Sequence, residues 1–343
     1  MPTRLTYRLT AGSRDDLIAR EESLDAPAAD GIRVEVHAIG LNFADVFSVW
    51  GLYSATPEGA FVPGLEFAGV VSAVGAEVTA HREGDEVYGI TRFGAYADRL
   101  NIDARYAFPL PEGWTFADGA AYPVQALTAY YGLRSLGNLQ PGHEVLVHSA
   151  AGGVGVWAGR ICRHYDARAV GTVGREAKVA FAKTQGYAEV VVRPASAKTL
   201  GQVLAKASSK NGYDVVMEPT GGHVLRESFR LVLPEGRMVV YGSAHFANNA
   251  AKPNKLRLLA KYLRRPKFDP QAMIAENKGV LAFNLIWLYQ QTEKLHLLLG
   301  ELDALHLGKP HIGERFVFGN LPAAVAALQS GLTVGKVVVE VPR

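Results

Sequence analysis

The sequence of 343 residues contains a single cysteine, Cys162. One cysteine cannot form an internal disulfide or a cysteine-based zinc cluster. The chain therefore carries no mark of an oxidising compartment, and we expect it in the cytoplasm. Cys162 lies one or two turns into a helix-like stretch, where a buried, inert thiol is the expected state.

Long apolar runs are also missing. The best candidate, "GVLAFNLIWLY" at residues 279–289, is far shorter than the roughly 20 apolar residues of a membrane-spanning helix. The first residues, "MPTRLTYRLTAGSRDD", lack the apolar centre of a signal peptide. We therefore expect neither a membrane span nor a cleaved leader.

A large excess of one charge is absent as well. The net charge of +3 is too small to indicate a nucleic-acid partner. The positive charge is local, because "KPNKLRLLAKYLRRPKF" at residues 252–268 holds seven basic residues before its final phenylalanine and no acidic one. The stretch predicts an amphipathic helix with Leu256, Leu259 and Leu263 on one face. Three interpretations stay open: a solvated helix over the cleft, a site for an anionic substrate or cofactor phosphate, and contact with an anionic membrane surface.

The pattern of strands and helices changes along the chain. Residues 1 to about 110 alternate in short β-branched runs between glycines and prolines, which predicts a barrel or sandwich. From about 142 to 262 strands alternate with helices, which predicts βαβ units and a parallel sheet. The last part is mixed and closes with a helix opened by Asn320 and Pro322 and then a strand.

A glycine cluster lies where the parallel sheet begins. It reads Ala150-Ala151-Gly152-Gly153-Val154-Gly155, between a β-branched strand and a helix-like run. The first glycine of G-x-G-x-x-G is replaced by Ala150, but the strand–turn–helix context is the one the motif requires. Gly152 would let the backbone approach a pyrophosphate, and Gly155 would let the helix pack close to the strand. The cluster therefore predicts a dinucleotide site.

The end of the next strand indicates which dinucleotide binds. NAD sites place an acidic residue there to hold the ribose 2′-OH, whereas this chain has Gly174 and Arg175. Arginine suits a 2′-phosphate, so we predict NADPH rather than NADH. Glu176, about 21 residues after Gly155, is the counterargument; we place it one step inside the following helix, where it serves the helix dipole.

Further motifs extend along nearly the whole chain. In order they are "GLNFADVFSVWGLY", "PGLEFAGVVSAVG", "GDEVYG", "TAYYGL", "GNLQPGHEVLVHSAAGGVG" and "GKVVV". In these motifs the chain resembles the medium-chain dehydrogenase/reductase superfamily, specifically its zinc-free quinone oxidoreductase branch and the vesicle amine transport protein 1 group within it. The motifs determine family membership better than they determine the reaction.

The resemblance implies an α/β fold of two domains. A GroES-like β-barrel domain would carry the catalytic groups over residues 1–122 and again over 263–343. A Rossmann domain, a doubly wound parallel sheet that binds NADPH, would be inserted over residues 123–262. Substrate and nicotinamide would meet between the two domains.

The resemblance also implies cofactor contacts. The pyrophosphate would lie on Ala151, Gly152, Gly153 and Val154. The adenosine ribose and its phosphate would lie among Gly174, Arg175, Lys178 and Arg193, where Lys178 matches a phosphate-binding lysine and Gly174 and Arg193 replace the usual serine and tyrosine. The nicotinamide would lie near Thr128, Gly242, Ser243, Phe283 and Asn284. Core packing is the alternative for Phe283.

Metal-assisted chemistry is disfavoured by the residues present. Zinc enzymes of this superfamily carry a cysteine and a histidine where this chain has Asn42 and Leu65. Leucine cannot bind a metal, and Glu66 alone does not complete a coordination shell. We therefore expect no metal.

Without a metal, a reduced nicotinamide can still deliver hydride to a quinone or to the β-carbon of an α,β-unsaturated carbonyl. Charge then develops on an oxygen, which needs hydrogen-bond donors. By resemblance the candidates are Asn42 and Tyr53, with Asp45 orienting Asn42 or the cofactor ribose. A turn residue and amphipathic packing are the alternatives for Asn42 and Tyr53, and water can supply the proton.

Two functions remain open. The first is an NADPH-dependent reductase of quinones, enones or enoyl substrates. The second is a weakly or non-catalytic protein that holds a nucleotide and binds a lipid surface or a partner. Because related proteins pair the edge strands of their parallel sheets, we expect a homodimer.

Overall fold

The computed structural model describes residues 2–342, and these contain sixteen strands arranged in three sheets. The strands are β1 (Thr3–Thr10), β2 (Ile18–Ser23), β3 (Gly31–Leu41), β4 (Ala60–Phe61), β5 (Glu66–Val74), β6 (Glu86–Ile90), β7 (Arg99–Asp103), β8 (Ala107–Pro109), β9 (Glu144–His148), β10 (Arg168–Val173), β11 (Glu189–Val192), β12 (Tyr213–Glu218), β13 (Val232–Val240), β14 (Gly279–Ala282), β15 (Ile312–Val317) and β16 (Lys336–Glu340).

Eleven α-helices connect and cover these sheets within the same residues. They are α1 (Phe43–Trp50), α2 (Phe116–Ala120), α3 (Pro123–Tyr130), α4 (Gly153–His164), α5 (Val179–Thr184), α6 (Ala197–Ala207), α7 (Gly222–Arg230), α8 (Lys255–Leu263), α9 (Pro270–Glu276), α10 (Thr292–Asp303) and α11 (Leu321–Gln329). As the sequence predicts, α11 follows Asn320 and carries Pro322 in its first turn.

The first domain is built on a seven-stranded sheet. Its order is β15-β16-β3-β5-β6-β8, with β7 pairing β3. Strand β3 is buried over most of its length, and β16 lies antiparallel to it with Val338 opposite Gly40. The end of the chain therefore returns to close the first domain, as expected from the family resemblance.

The inserted domain is a six-stranded parallel sheet with the order β11-β10-β9-β12-β13-β14. The chain enters at β9, moves outward through β10 and β11, and then crosses back to β12. The reversal puts a crevice at the carboxyl ends of β9 and its neighbours, which is where such sheets bind nucleotides. The doubly wound parallel sheet predicted from the sequence is present.

The parallel sheet extends past residue 262, where we placed its end. Strand β14 pairs with β13 in parallel, with Leu281 opposite Val239. The segment between β13 and β14, which includes α8 and α9, lies outside this sheet. Strand β14 has four residues and is only half-buried. Such a strand shows too little apolar alternation to be predicted from the sequence.

Helix α8 lies in this segment and is largely exposed. It starts after Asn254, whose side chain accepts a hydrogen bond from Arg257 N–H at 2.9 Å. Leu256 is 81% exposed, and Leu259, Tyr262 and Leu263 are each more than half exposed. The apolar face predicted for this helix is therefore exposed to solvent. No helix within residues 2–342 has the length and apolarity to cross a bilayer.

Candidate active site

The glycine cluster forms the predicted turn between β9 and α4. The backbone N–H of Gly152 donates to Ser149 O at 2.8 Å, and Ser149 adopts φ 59°. A Cβ on Gly155 would lie 2.4 Å from Ser149 O, so only glycine lets the helix begin this close to the strand. Helix α4 thus starts at the carboxyl edge of the sheet, where its first N–H groups are placed to bind a pyrophosphate.

The second domain and the first are joined at this turn. The backbone N–H of Gly335 donates to Ala151 O at 2.8 Å, and Gly335 bridges Gly152. Gly335 adopts φ 59°, and a Cβ there would meet His311 O at 2.2 Å. The residue directly after it, Lys336, opens β16. The phosphate turn and the C-terminal strand of the catalytic domain are therefore in direct contact.

The adenosine end is formed by the residues that follow β10 and β11. A Cβ on Gly174 would lie 3.8 Å from Arg193 Nη2, so the glycine leaves space beside the Arg193 guanidinium. Arg193 Nη1 donates to Thr220 Oγ1 at 3.2 Å. Burial lowers the pKa of Arg193, and the charge of Glu218 opposes this effect. A buried cation beside a glycine at this corner is suited to a 2′-phosphate.

Lys178 has partners that the motif match did not predict. Its Nζ donates to the carbonyl oxygens of Gly331 and Thr333, at 2.7 Å each. Burial lowers the pKa of Lys178, and the nearby charges of Arg175 and Arg193 lower it further. An ammonium has three N–H groups, so one is left for a phosphate. The two N–H groups already in use connect the start of α5 to the segment before β16.

The residues predicted to flank the nicotinamide follow β13 and β14 at the same edge. Gly242 fits closely there, because a Cβ would lie 2.9 Å from Pro219 O. Phe283 packs edge-on against Tyr131, with ring centroids 5.1 Å apart, so core packing accounts for at least part of its environment. Thr128 on α3 is 8% exposed, and its Oγ1 donates to Val124 O at 2.6 Å.

Asn42 lies in a buried network of charges inside the first domain. Its Nδ2 donates to Glu66 Oε1 at 2.6 Å, and Lys336 Nζ donates to its Oδ1 at 2.9 Å. Lys336 and Glu66 also form an ion pair, and both side chains are almost completely buried. An ammonium only donates and a carboxylate only accepts, so this pair determines which way the Asn42 amide faces. One N–H of Nδ2 remains for a substrate oxygen.

Asp45 holds the backbone of Asn42. Its Oδ2 accepts from Asn42 N–H at 2.7 Å, as part of the cap at the start of α1. Burial raises the pKa of Asp45 to about 7, although the Asn42 N–H and the charge of Lys336 oppose the rise. Near neutral pH this carboxyl is therefore divided between its protonated and ionised forms.

Tyr53 and Asn284 were predicted at the site separately, and the structure brings them together. The Tyr53 hydroxyl donates to Asn284 Oδ1 at 2.7 Å. Burial raises the pKa of Tyr53 to about 12, so the phenol stays protonated at neutral pH. Its single hydrogen is already used, and Tyr53 must release Asn284 before it can donate to a substrate.

Asn42 and Leu65, the two positions where the resemblance would put zinc ligands, carry no thiolate or imidazole. Leu65 packs in a small apolar cluster with Ala55 and Ile286. Within residues 2–342, no three side chains of histidine, cysteine, aspartate or glutamate come together as a metal ion would require.

Sequence reasoning missed two residues of this site. Lys336 follows the glycine of "GKVVV" and opens an otherwise apolar strand, which was a signal that its ammonium needed a buried partner. Glu66 was considered only as a lone metal ligand. Its Oε2 also accepts from Val124 N–H at 2.9 Å, so it links the Asn42 network to the first turn of α3.

A β-domain interrupted by a dinucleotide-binding sheet, with polar side chains where the two meet, defines the class of medium-chain dehydrogenases and reductases. Comparison with family models agrees. Residues 28–112 match the alcohol dehydrogenase GroES-like domain, and residues 153–265 match the zinc-binding dehydrogenase family.

Comparison with individual proteins shows which members of this class the chain resembles. The human synaptic vesicle membrane protein VAT-1 homolog is 34% identical over 94% of this chain and 81% of its own length. The quinone oxidoreductase of Escherichia coli, solved in complex with NADPH, superposes with a TM-score of 0.83 at 27% identity, over 99% of this chain and 100% of that one. The CurK enoyl reductase superposes with a TM-score of 0.81 at 27% identity, over 99% of both chains.

The chain therefore belongs to the medium-chain dehydrogenase/reductase superfamily, and the VAT-1 homologues are among its relatives. Its fold is a GroES-like domain with an inserted Rossmann-type sheet.

Proposed function

We propose that this protein is an NADPH-dependent, metal-independent reductase that transfers hydride to a quinone or to the β-carbon of an α,β-unsaturated carbonyl compound. The observation that carries the proposal is the contact between the phosphate turn and the Asn42 network. Gly335 bonds to the turn, and its neighbour Lys336 bonds to Asn42. A dinucleotide held at the turn would thus lie close to the network that holds the Asn42 amide.

NADPH fits the residues that would hold it. The N-terminus of α4 would bind the pyrophosphate, and Arg175, Lys178 and Arg193 would surround the 2′-phosphate. The E. coli quinone oxidoreductase with this fold was solved with NADPH, which supports the choice. When bound, the dihydronicotinamide supplies the hydride.

The chain's own residues would orient the acceptor and stabilise its charge. Hydride addition to a quinone or an enone moves an electron pair onto the carbonyl oxygen. The second N–H of Asn42 Nδ2 would bind that oxygen, and the Lys336–Glu66 pair would hold the amide in the required orientation. The final proton can come from solvent.

The proposal is tested by NADPH oxidation. Purified protein should consume NADPH with a panel of quinones, enones or enoyl thioesters, and should use NADH much less efficiently. No oxidation with any member of the panel would contradict the proposed reaction. Equal efficiency with NADH and NADPH would contradict the 2′-phosphate site.

Arg193→Gln is expected to weaken NADPH binding by roughly 10- to 100-fold, because a charged hydrogen bond to a phosphate contributes about 1.5–3 kcal/mol. NADH has no 2′-phosphate, so its dissociation constant should change less than twofold. Both constants can be measured from the fluorescence of the reduced nucleotides. Equal loss for the two would show that Arg193 supports the fold and not the phosphate.

A second candidate function is favoured by the surface of α8. Leu256, Leu259, Tyr262 and Leu263 are exposed beside six basic residues and no acidic one between Lys255 and Lys267. An amphipathic basic helix of this kind binds anionic lipid surfaces, and the human relative is named a synaptic vesicle membrane protein. We therefore also propose that α8 contacts a membrane surface without crossing it.

Sedimentation with vesicles tests this second candidate. Vesicles with anionic headgroups should carry the protein down at low salt, zwitterionic vesicles should not, and Leu256→Ser/Leu263→Ser should reduce the bound fraction several-fold. NADPH binding by this variant serves as the control for folding. Equal sedimentation with both vesicle types would argue against binding of α8 to an anionic membrane surface.

We further propose a homodimer. Strand β14 has β13 on one side only, and the open edge of a sheet is a ready place for the same strand of a second copy.

A further inference from the structure

Gln125 is a buried side chain without a partner. It lies in the first turn of α3 and is 8% exposed, and its Oε1 is buried with no hydrogen-bond partner within residues 2–342. Buried polar atoms in folded proteins almost always have a partner, so each exception calls for an explanation. The side chain of Gln125 plays no part in the Asn42 network.

The position of this amide relates it to the phosphate turn. A Cβ on Gly153 would lie 1.5 Å from Gln125 Oε1, so the carboxamide rests directly on the first residue of α4. A side chain at position 153 would displace this amide from the turn. Thr128 lies three residues after Gln125 and so shares its face of α3. The amide thus lies between the phosphate turn and the residue predicted near the nicotinamide.

We propose that Gln125 is a cofactor-binding residue whose Oε1 accepts a hydrogen bond from a hydroxyl of the nicotinamide ribose. Phosphate oxygens at this turn are ionised and can only accept, so they cannot satisfy a carbonyl oxygen. The group of a dinucleotide that follows the pyrophosphate toward Thr128 is that ribose, and its hydroxyls donate. The inference rests on the proposed binding of NADPH and does not depend on which substrate is reduced.

This assignment predicts effects of opposite sign on stability and on binding. Without a nucleotide, the buried Gln125 Oε1 has no hydrogen-bond partner, which lowers the stability of the fold. With the nucleotide bound, the ribose hydroxyl supplies that partner. Gln125→Leu has a similar size and no polar atom. We expect the thermal unfolding midpoint of the nucleotide-free variant to stay the same or rise by a few degrees, while its NADPH dissociation constant increases about tenfold.

A truncated nucleotide separates the ribose contact from a general effect on the site. Adenosine 2′,5′-bisphosphate has the 2′-phosphate but no nicotinamide ribose. Its dissociation constant should therefore be the same, within twofold, for the wild type and Gln125→Leu. The shift in unfolding midpoint produced by saturating NADPH should be smaller for the variant.

Gln329→Leu provides a matched control, since Gln329 is equally buried but fully partnered. It is 5% exposed, its Oε1 accepts from Arg14 Nη1 at 2.7 Å, and its Nε2 donates to Ala250 O at 2.8 Å. The same substitution there should lower the unfolding midpoint and leave the affinity of the folded protein for NADPH unchanged.

Two results would overturn the inference. One is a lower midpoint for nucleotide-free Gln125→Leu together with unchanged NADPH affinity, which would make Gln125 a structural residue. The other is an equal loss of affinity for NADPH and adenosine 2′,5′-bisphosphate. If the wild type binds NADPH but reduces no quinone, enone or enoyl thioester, the proposed reaction fails while the affinity measurements still decide the role of Gln125.

Discussion

Replacing Lys336 by methionine is expected to lower the free energy of unfolding by about 3–5 kcal/mol, the range for removing one partner of a buried ion pair. Methionine fills a similar volume but leaves Glu66 buried with its charge unpaired. Glu66 would keep only the hydrogen bonds from Asn42 and from the Val124 backbone. Urea denaturation of the two proteins, followed by circular dichroism, measures the difference.

The double variant Glu66→Gln/Lys336→Met is the control for this result. It removes both charges together, and neutral replacements of buried ion pairs are often tolerated. Much of the lost stability should return. If Lys336→Met alone unfolds within 1 kcal/mol of the wild type, roughly the size expected of an exposed ion pair, the pair does not stabilise the fold.

Asn42→Ala is expected to lower kcat by about 100- to 1,000-fold with quinones and enones alike, which is the usual effect of removing one donor to a developing oxyanion. The substitution removes the N–H left free by the network and keeps the Lys336–Glu66 pair. The dissociation constant for NADPH should change less than twofold, because the nucleotide is held by other residues. Steady-state kinetics together with nucleotide titration separate the two effects.

A drop in kcat of less than threefold would show that Asn42 is a structural residue of the turn before α1. Comparing Asn42→Ala with Asn42→Ala/Lys336→Met then isolates the action of the lysine. If Lys336 serves the reaction only by orienting the Asn42 amide, the double variant should have the same kcat as Asn42→Ala. A further large loss would mean that the ammonium acts on the substrate directly.

Sequence reasoning was most successful where local rules decide the structure. The phosphate turn, the alternation of strands and helices, and the helix opened by Asn320 and Pro322 each depend on a few consecutive residues. That positions 42 and 65 hold asparagine and leucine is likewise read from the sequence without reference to any contact. The boundary at residue 262 was misplaced because β14 is too short and too little buried to be distinguished by its pattern.

The partners of the predicted site residues could not be read from the sequence in the same way. Tyr53 and Asn284 are 231 positions apart, yet they share a hydrogen bond. Lys178 matched a phosphate-binding lysine, but most of its donors go to carbonyls before β16. Such contacts depend on how the C-terminal segment folds back over the inserted domain.

By itself the sequence determined the family, the parallel sheet with its phosphate turn, and the residue types available for chemistry, because these follow from short-range periodicity and from side-chain identity. Only the tertiary structure decided that Lys336 and Glu66 orient Asn42, that Tyr53 is held by Asn284, and that Gln125 is left without a partner over Gly153. The physical reason is that a hydrogen bond in the interior depends on direction and distance between segments far apart in the chain, and these are set by packing within each domain and between the two.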